Sequence, residues 1–452
     1  MFFTDLCNAF ETVFRPDPLT WTMTALILFV LVTVCGYSRR YLAGDNNYTE
    51  FAYSVLLLGI GVLVMVSADQ IWVMLAGWGI SNLLLVKLMV HKRQWLAARN
   101  SGLLALKTFC AGFGMLTIAF WLLSVCAHTF SISAILSHSN QVVGLRGNVA
   151  LLLIALAALT QSAIWPFHRW LISSLNSPTP VSALMHAGLV NGGGFLLVRF
   201  APLYLSRPAY LYALFSAGLI SAVLGTIWKL LQTDVKRMLA CSTMGQMGFM
   251  VMQCGMGLFA PAISHLCWHG LFKAYLFLSS GSVVREKRNK NSFGGITALS
   301  FAVSCLFGAV GAYMFIVASG SSIQWYDTSC VMLALAFMAS TQTSCSITDV
   351  QAKPARLVLA LTASIVTGLS YGLSLRLIER ILAPLGLLQP QPFNALYLCG
   401  FIVIASIWLA MNMNIAVRLQ NTHIWKRLYM AALNSSQPHS TTVTTLRTTY
   451  YG

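Results

Sequence analysis

Ala260-Pro261-Ala262-Ile263-Ser264-His265-Leu266-Cys267-Trp268-His269-Gly270-Leu271-Phe272-Lys273-Ala274-Tyr275-Leu276-Phe277-Leu278 opens an apolar window, 260–284, that is long enough to cross a ~30 Å hydrocarbon core as a helix. It nevertheless carries His265, His269 and Lys273. At spacing i, i+4, i+8 these side chains drift only ~40° per step, so they share one helix face. At 1.5 Å per residue they cover about 12 Å of the axis, which two or three waters could join as a proton wire with Lys273 near the midplane. An ionisable group in hydrocarbon costs several kcal/mol unless paired or hydrated, so each one is a functional candidate. The plain alternative is a pair of structural histidines and a lysine that snorkels to the interface. A haem or metal reading of the two histidines lacks a second ligand set.

The rest of the chain repeats the apolar pattern without the charges. Of 452 residues 57% are hydrophobic and 9% charged, against roughly 25% charged in an ordinary soluble domain, so a water-soluble globular protein is excluded. Windows near 19–37, 50–66, 70–90, 106–126, 148–165, 181–202, 209–230, 237–257, 260–284, 296–319, 329–346, 357–377 and 395–416 predict an all-α polytopic membrane protein with about 13 transmembrane helices. The first run is too long for a signal-peptide core and is expected to stay as a span. One transmembrane domain over 1–433 follows, with a mobile Ser/Thr-rich tail over 434–452.

The net charge of +17 is explained by loop cations without any nucleic-acid partner. Arg39 and Arg40, Lys92, Arg93 and Arg99, Arg169, Lys229, Lys236 and Arg237, Arg285 to Lys290, Lys353 and Arg356, and Lys426 and Arg427 fall in alternate loops. By the positive-inside rule these loops are cytoplasmic, with the N-terminus outside and the C-terminus inside. The cysteines are scattered with no C-x-x-C pair and read as small buried hydrophobes. No Walker A, Rossmann glycine fingerprint or H-E-x-x-H occurs, and no loop is long enough for a catalytic domain, so soluble chemistry falls to a partner.

Two more stretches place polar residues at membrane depth. Gln161-Ser162-Ala163-Ile164-Trp165-Pro166-Phe167-His168 and Ser177-Pro178-Thr179-Pro180-Val181-Ser182-Ala183-Leu184-Met185-His186 predict a helix broken by Pro166, Pro178 and Pro180, with freed backbone carbonyls. Broken helices at depth are tolerated only where protein or a water-filled cavity satisfies them, which is how transporter sites are built. His186 alone reads as structural, and beside such a break as a relay candidate. Asp234 suits a helix cap, and Lys236 and Arg237 suit the interface. Gly188/Gly192 and Gly368/Gly372 fit close helix packing. Asp69, Asp349 and Glu379 fall at span ends, where they are expected to be hydrated.

Pro178 to His186, Asp234-Val235-Lys236-Arg237, Ser242-Thr243-Met244-Gly245-Gln246 and His265-x3-His269-x3-Lys273 together resemble the proton-conducting core of the antiporter-like family. That family includes the large membrane subunits of respiratory complex I and of Mrp-type sodium/proton antiporters. The resemblance, strongest from Gln161 to Lys290, implies two inverted five-helix repeats with discontinuous helices. It also implies an ion pathway through Lys273, His269, His265, His186, Gln161, Asp234 and Lys236.

Departures from the family are specific. Gln161 stands where the family has a lysine, and Gly79 follows Gly77-Trp78 where it has a glutamate. No lysine occurs in 296–346, and the long lateral helix of the complex I subunit has no counterpart. A short member of this kind is similar to the membrane subunit of the two-component DAB inorganic-carbon accumulation system. That likeness implies proton or sodium flow energising a large zinc-containing, carbonic-anhydrase-like partner on the cytoplasmic face. It further implies no cofactor in this chain and a place in the bacterial inner membrane. The alternatives are a complex I-like pumping subunit and a stand-alone cation/proton antiporter.

Overall fold

In the computed structural model residues 12–284, 297–320, 323–348, 354–413, 415 and 419–443 are described. Among them the chain is helical, with isolated β-bridges and no strand. The helices are α1 (Pro18–Tyr41), α2 (Tyr48–Ser67), α3 (Ile71–Met89), α4 (Leu96–Ala127), α5 (Gly144–Gln161), α6 (Thr179–Ala187), α7 (Gly192–Arg199), α8 (Pro208–Leu231), α9 (Val235–Gly255) and α10 (Phe259–Leu278). They continue with α11 (Ala298–Ser319), α12 (Ser329–Cys345), α13 (Pro354–Leu382), α14 (Ala395–Asn412) and α15 (His423–Ser435).

Ten candidate spans, α6 and α7 counting as one, are long and apolar enough to cross a membrane. The chain is a multi-pass membrane protein. The other three expected windows are helices as well. Polar side chains lower the hydropathy of α9 and α10, and α12 is a shorter apolar helix of 17 residues.

The chain divides into two compact units. The first comprises Met1–Gly255, His265–Val284 and Ala432–Gly452, and the second Met256–Ser264 and Arg285–Ala431.

In the first unit α8 and α9 meet backbone to backbone. A Cβ on Gly225 would lie 2.6 Å from Gly245 Cα, and one on Gly248 would lie 2.8 Å from Gly218 O. Small residues that admit such contact are the main device for joining helices in lipid, where burial of apolar surface gives no drive. The contact turns the opposite side of α9, with Ser242, Thr243 and Gln246, toward α6 and α10. In the second unit Gly368 of α13 packs against the Gly311 backbone of α11, and Gly372 lies under Phe315 and Ala318, the packing expected of that pair.

The discontinuities differ from those the prolines predict. Helix α5 ends at Gln161, five residues before Pro166, and the unwound stretch begins with Ala163 at φ 52°. Pro178 and Pro180 break nothing: Pro178 is the N-cap of α6 and Pro180 lies in its first turn, where proline's missing N–H is one of the helix's unpaired donors anyway. A second discontinuity, inside the 181–202 window, falls at Gly188 between α6 and α7, with a short 3-10 turn over Leu189–Asn191. Gly188 is therefore where a helix stops and not a packing glycine; a Cβ there would lie 2.6 Å from the Leu184 carbonyl of its own helix. This interrupted helix is the most enclosed of the candidate spans, with 94% of its most apolar window buried.

Residues 434–443, the described part of the Ser/Thr-rich tail, make hydrogen bonds within the first unit. Gln232 Nε2 donates to Ser436 Oγ (2.9 Å), the His439 N–H to Ser173 Oγ (3.0 Å), and Asn176 Nδ2 to the Thr442 carbonyl (2.9 Å). Arg285, Lys287, Arg288, Lys290, Asp349 and Lys353, the N-terminal Asp5, Cys7 and Glu11, and the tail beyond Val443 lie outside the described residues.

Candidate functional site

Helix α10 brings its three basic residues onto one face inside the first unit. Lys273 is 1% exposed, and its Nζ donates to Ser242 Oγ (2.9 Å) and the Leu239 carbonyl (3.4 Å). No carboxylate among the described residues lies within ion-pair distance of it. The His265 and His269 rings are nearly parallel, with centroids 6.3 Å apart. His265 is held by the Gln246 backbone and the Phe249 ring. His269, 5% exposed, has no hydrogen-bond partner at either ring nitrogen among the described residues. A buried polar atom left so costs about 1–3 kcal/mol, so these nitrogens are the natural points for a transient proton or water contact.

Helix α6 supplies the fourth member. His186 Nδ1 pairs with Thr243 Oγ1 (3.1 Å), and its ring stacks on Phe277 with centroids 4.3 Å apart. Thr243 Oγ1 donates in turn to the Leu239 carbonyl (3.0 Å), the acceptor that Lys273 also uses. His269 lies within electrostatic range of Lys273, His265 and His186 together. Lys273 is not at mid-helix. The centre of α10 falls between Trp268 and His269, and Lys273 meets the first two turns of α9. The polar line therefore runs from His265, beside Gln246, toward the end of α9 that Asp234 opens.

At that end Asp234 accepts the Arg237 N–H (2.9 Å), the cap its sequence context suggested, and Lys236 Nζ donates to the Ser177 carbonyl (3.2 Å) at the entry to α6. Asp234 is exposed and holds backbone, while Lys236 ties α9 to the foot of the helix that carries His186.

Gln161 belongs to a separate constellation at the end of α5. It exchanges amide hydrogen bonds with Asn82 of α3 (3.1 and 3.0 Å) and donates to the Leu189 carbonyl at the α6–α7 break (3.2 Å). With Trp78, Ser81 and Gly188 it lines a cavity of about 30 Å³, room for a water or two. Ser162 Oγ donates to the Val190 carbonyl (2.8 Å) of the same break. The unwound backbone is thus satisfied by short side chains from α5, as interrupted helices in lipid require.

Several residues here were not singled out by sequence. Asn82 is a polar residue within a predicted span, and polarity inside such a window was the available signal; Thr243 stands in the motif that carries the resemblance, without a role of its own there. Arg199, also within a predicted span, pairs with Asp17, which caps α1, and donates to Thr20 Oγ1 (3.0 Å) and the Val66 carbonyl (3.2 Å). Burial pushes the Asp17 carboxyl up, but the Arg199 guanidinium and the Thr20 hydrogen bonds outweigh it and hold it below the usual range. Asp69 is buried at its span end: at 9% exposure it accepts from Ser131 Oγ and the Ser133 N–H and Oγ, closing the loop after α4. In the loop before α2, a hydrogen bond from His91 holds Asp45 below its ordinary value.

The sequence matches known proteins over much of this region. The transmembrane family described as NADH:quinone oxidoreductase/Mrp antiporter matches residues 67–320, and the family described as NADH-Ubiquinone oxidoreductase (complex I), chain 5 N-terminus matches residues 8–52. "Probable inorganic carbon transporter subunit DabB1" of Halothiobacillus neapolitanus is 37% identical over 60% of this chain and 50% of its own length. "Probable inorganic carbon transporter subunit DabB" of Bacillus anthracis is 36% identical over 68% of this chain and 61% of its own length. "NADH-ubiquinone oxidoreductase chain 5" of Chondrus crispus is 33% identical over 61% of this chain and 43% of its length. The chain thus spans between two-fifths and three-fifths of the length of these relatives. A chain in the structure of the Mrp complex from a Dietzia species shares the fold, with TM-score 0.63 and 24% identity over 93% of this chain and 52% of that one.

Proposed function

This chain belongs to the NADH:quinone oxidoreductase/Mrp antiporter transmembrane family, and from that premise we propose that it is the ion-conducting membrane subunit of an inorganic-carbon accumulation complex. The observation that carries the conducting role is the buried line of His265, His269 and Lys273 facing Ser242, Thr243 and His186. Successive members on α10 stand about 6 Å apart along the axis, a gap one water bridges. A proton moves between His265 and His269, on to Lys273 through the Ser242 hydroxyl, and reaches the aqueous end past His186 and Lys236. Gln161 and Asn82, which do not titrate, orient water and store no charge.

The partner and the substrate rest on the likeness to relatives named as inorganic carbon transporter subunits. In this reading ion flow, of protons or sodium, energises hydration of CO2 in a large zinc-containing, carbonic-anhydrase-like subunit. That subunit docks on the cytoplasmic face, where Arg93, Arg169 and Lys236 lie, and the complex works in the bacterial inner membrane. A basic face suits an acidic partner surface. The likeness to chain 5 of NADH-ubiquinone oxidoreductase supports a second reading, a pumping subunit driven by quinone reduction.

Affinity purification in mild detergent, with the neighbouring genes co-expressed, separates the two. The proposal expects a stable complex with a zinc-binding soluble subunit and CO2-dependent growth rescue only when both are present. Recovery with quinone-reducing subunits would favour the second reading. Rescue by this chain alone would make it a self-contained antiporter.

A further inference from the structure

Away from the ion path, at the end of the first unit where α1, α3 and α4 carry their loop cations, two cavities share a wall. The larger, about 700 Å³, is lined by Asp45, Glu50, Lys87, His91, Arg93 and Trp95 among others. The smaller, about 490 Å³, lies along α3 and the start of α4 and is lined by Val86, Lys87, Val90, Arg93 and Arg99. Lys87, Val90 and Arg93 belong to both. One side of the composite site is polar and the other is a pair of valines beside aliphatic stems.

The charges do not balance. Lys87 Nζ and Arg93 Nη2 converge on the same oxygen of Glu50, each at 3.0 Å, which leaves one positive charge over. Asp45, 3.0 Å from His91, is the other carboxylate, so the two cavities set Lys87, Lys92, Arg93 and Arg99 against two acidic groups. Arg99 has no ion-pair partner among the described residues, although its side chain is exposed in the smaller cavity. Toward the middle of the span the same helices present Ile80, Leu83 and Leu103, about half exposed, as a lipid-facing surface. Helices α3 and α4 approach closely here, because Gly102 lies directly against the Val90 side chain.

We propose that this composite cavity binds an anionic membrane phospholipid, its phosphate between Lys87, Arg93 and Arg99 and an acyl chain laid along Val86 and Val90. A surplus of cations above an apolar groove at a helix end matches the two halves of such a lipid, whereas a soluble anion uses only the first half. An acidic protein segment would leave the valine groove unused. The proposal needs only the multi-pass membrane reading, and it leaves Arg169 and Lys236 to face a partner.

The test uses the full chain, purified and washed free of native lipid in detergent, then titrated in mixed micelles. The probes are dioleoyl phosphatidylglycerol, dioleoyl phosphatidylcholine and inorganic phosphate, and the readout is the thermal midpoint and the lipid retained. Phosphatidylglycerol is expected to bind at least tenfold more tightly than phosphatidylcholine, taking a surface cation as worth about fivefold in binding. By the same figure Arg99→Gln, at an exposed position that folding tolerates, is expected to weaken it about fivefold, and the triple variant Lys87→Gln/Arg93→Gln/Arg99→Gln on the order of a hundredfold. Arg39→Gln/Arg40→Gln, which removes charge outside both cavities, is expected to leave binding unchanged. Val86→Asn, which makes the groove polar and keeps the cations, is expected to weaken both lipids and to leave inorganic phosphate unchanged. Equal binding of the two lipids, equal loss in the Arg39/Arg40 control, or protection by inorganic phosphate equal to that by phosphatidylglycerol would each overturn the proposal.

Discussion

The two units use the same packing and different chemistry. In the first, Gly225 and Gly245 bring α8 and α9 together; in the second, Gly311 and Gly368 do this for α11 and α13. Among the described residues, the buried polar side chains of the second unit are Ser264, Ser304, Ser319, Thr328, Ser329, Ser340, Thr341, Ser344, Thr348, Ser364 and Asn412, all hydroxyls or amides, while Glu379 is half-buried with its Oε1 shielded from solvent. Ser304 pairs with Thr348 (3.0 Å) and accepts from Ser344 (3.2 Å), so part of this set hydrogen-bonds to itself. The first unit buries His168, His186, His269, Lys273 and Asp69. A hydroxyl network orients water but holds no charge near neutral pH, whereas histidine and lysine can pick up and release a proton. Helix packing alone therefore does not distinguish the two units; the buried histidines and lysine of the first do.

Four variants sharpen or break that contrast. The largest effect is expected from Lys273→Ala, which removes the charged member of the line: ion flux measured in proteoliposomes containing the complex should fall on the order of a hundredfold, with membrane expression retained. Next comes Asp17→Asn, expected to cost about 3 kcal/mol at neutral pH by leaving Arg199 without its counter-ion. The sign in pH follows from the lowered Asp17 carboxyl. Its contribution is fully present above the unfolded value of about 3.9 and is lost as pH falls through the lower folded value. The lead of the wild type over Asp17→Asn in thermal midpoint should therefore shrink between pH 7 and pH 3; a constant gap would show that Arg199 is not what holds the carboxyl.

Gln161→Leu is expected to lower flux a few-fold, because Asn82 then loses its amide partner while no titratable group is lost. Flux as low as in Lys273→Ala would make Gln161 an obligatory relay. The smallest effect, within about twofold, is expected from Ser304→Ala/Ser344→Ala, since the contrast assigns that network to packing. A tenfold loss there would move part of the ion path into the second unit.

Much of the fold could be read from the apolar windows, because lipid leaves a chain few options besides helices. The clustering of His265, His269 and Lys273 was equally legible, since it depends only on helical period. What escaped depended on partners distant in sequence. Gln161 finds Asn82, and Asp17 finds Arg199, only after α1, α3, α5 and α7 have packed. The prolines misled because a proline within the first turn starts a helix as readily as one in the interior breaks it, while the break at Gly188 carries no proline. The composition of the Ser/Thr-rich tail offers little to bury and so gave no sign that Ser436 and Thr442, in its described part, hydrogen-bond to Gln232 and Asn176.

The central claim is that a proton is exchanged at residue 273, beyond a positive charge merely residing there. Proton flux through the complex carrying Lys273→Arg tests this most directly, because arginine keeps the charge and much of the bulk but does not release its proton at accessible pH. The account predicts flux as low as in Lys273→Ala. Wild-type flux in Lys273→Arg would contradict it and reduce Lys273 to a fixed electrostatic element beside a path that runs elsewhere.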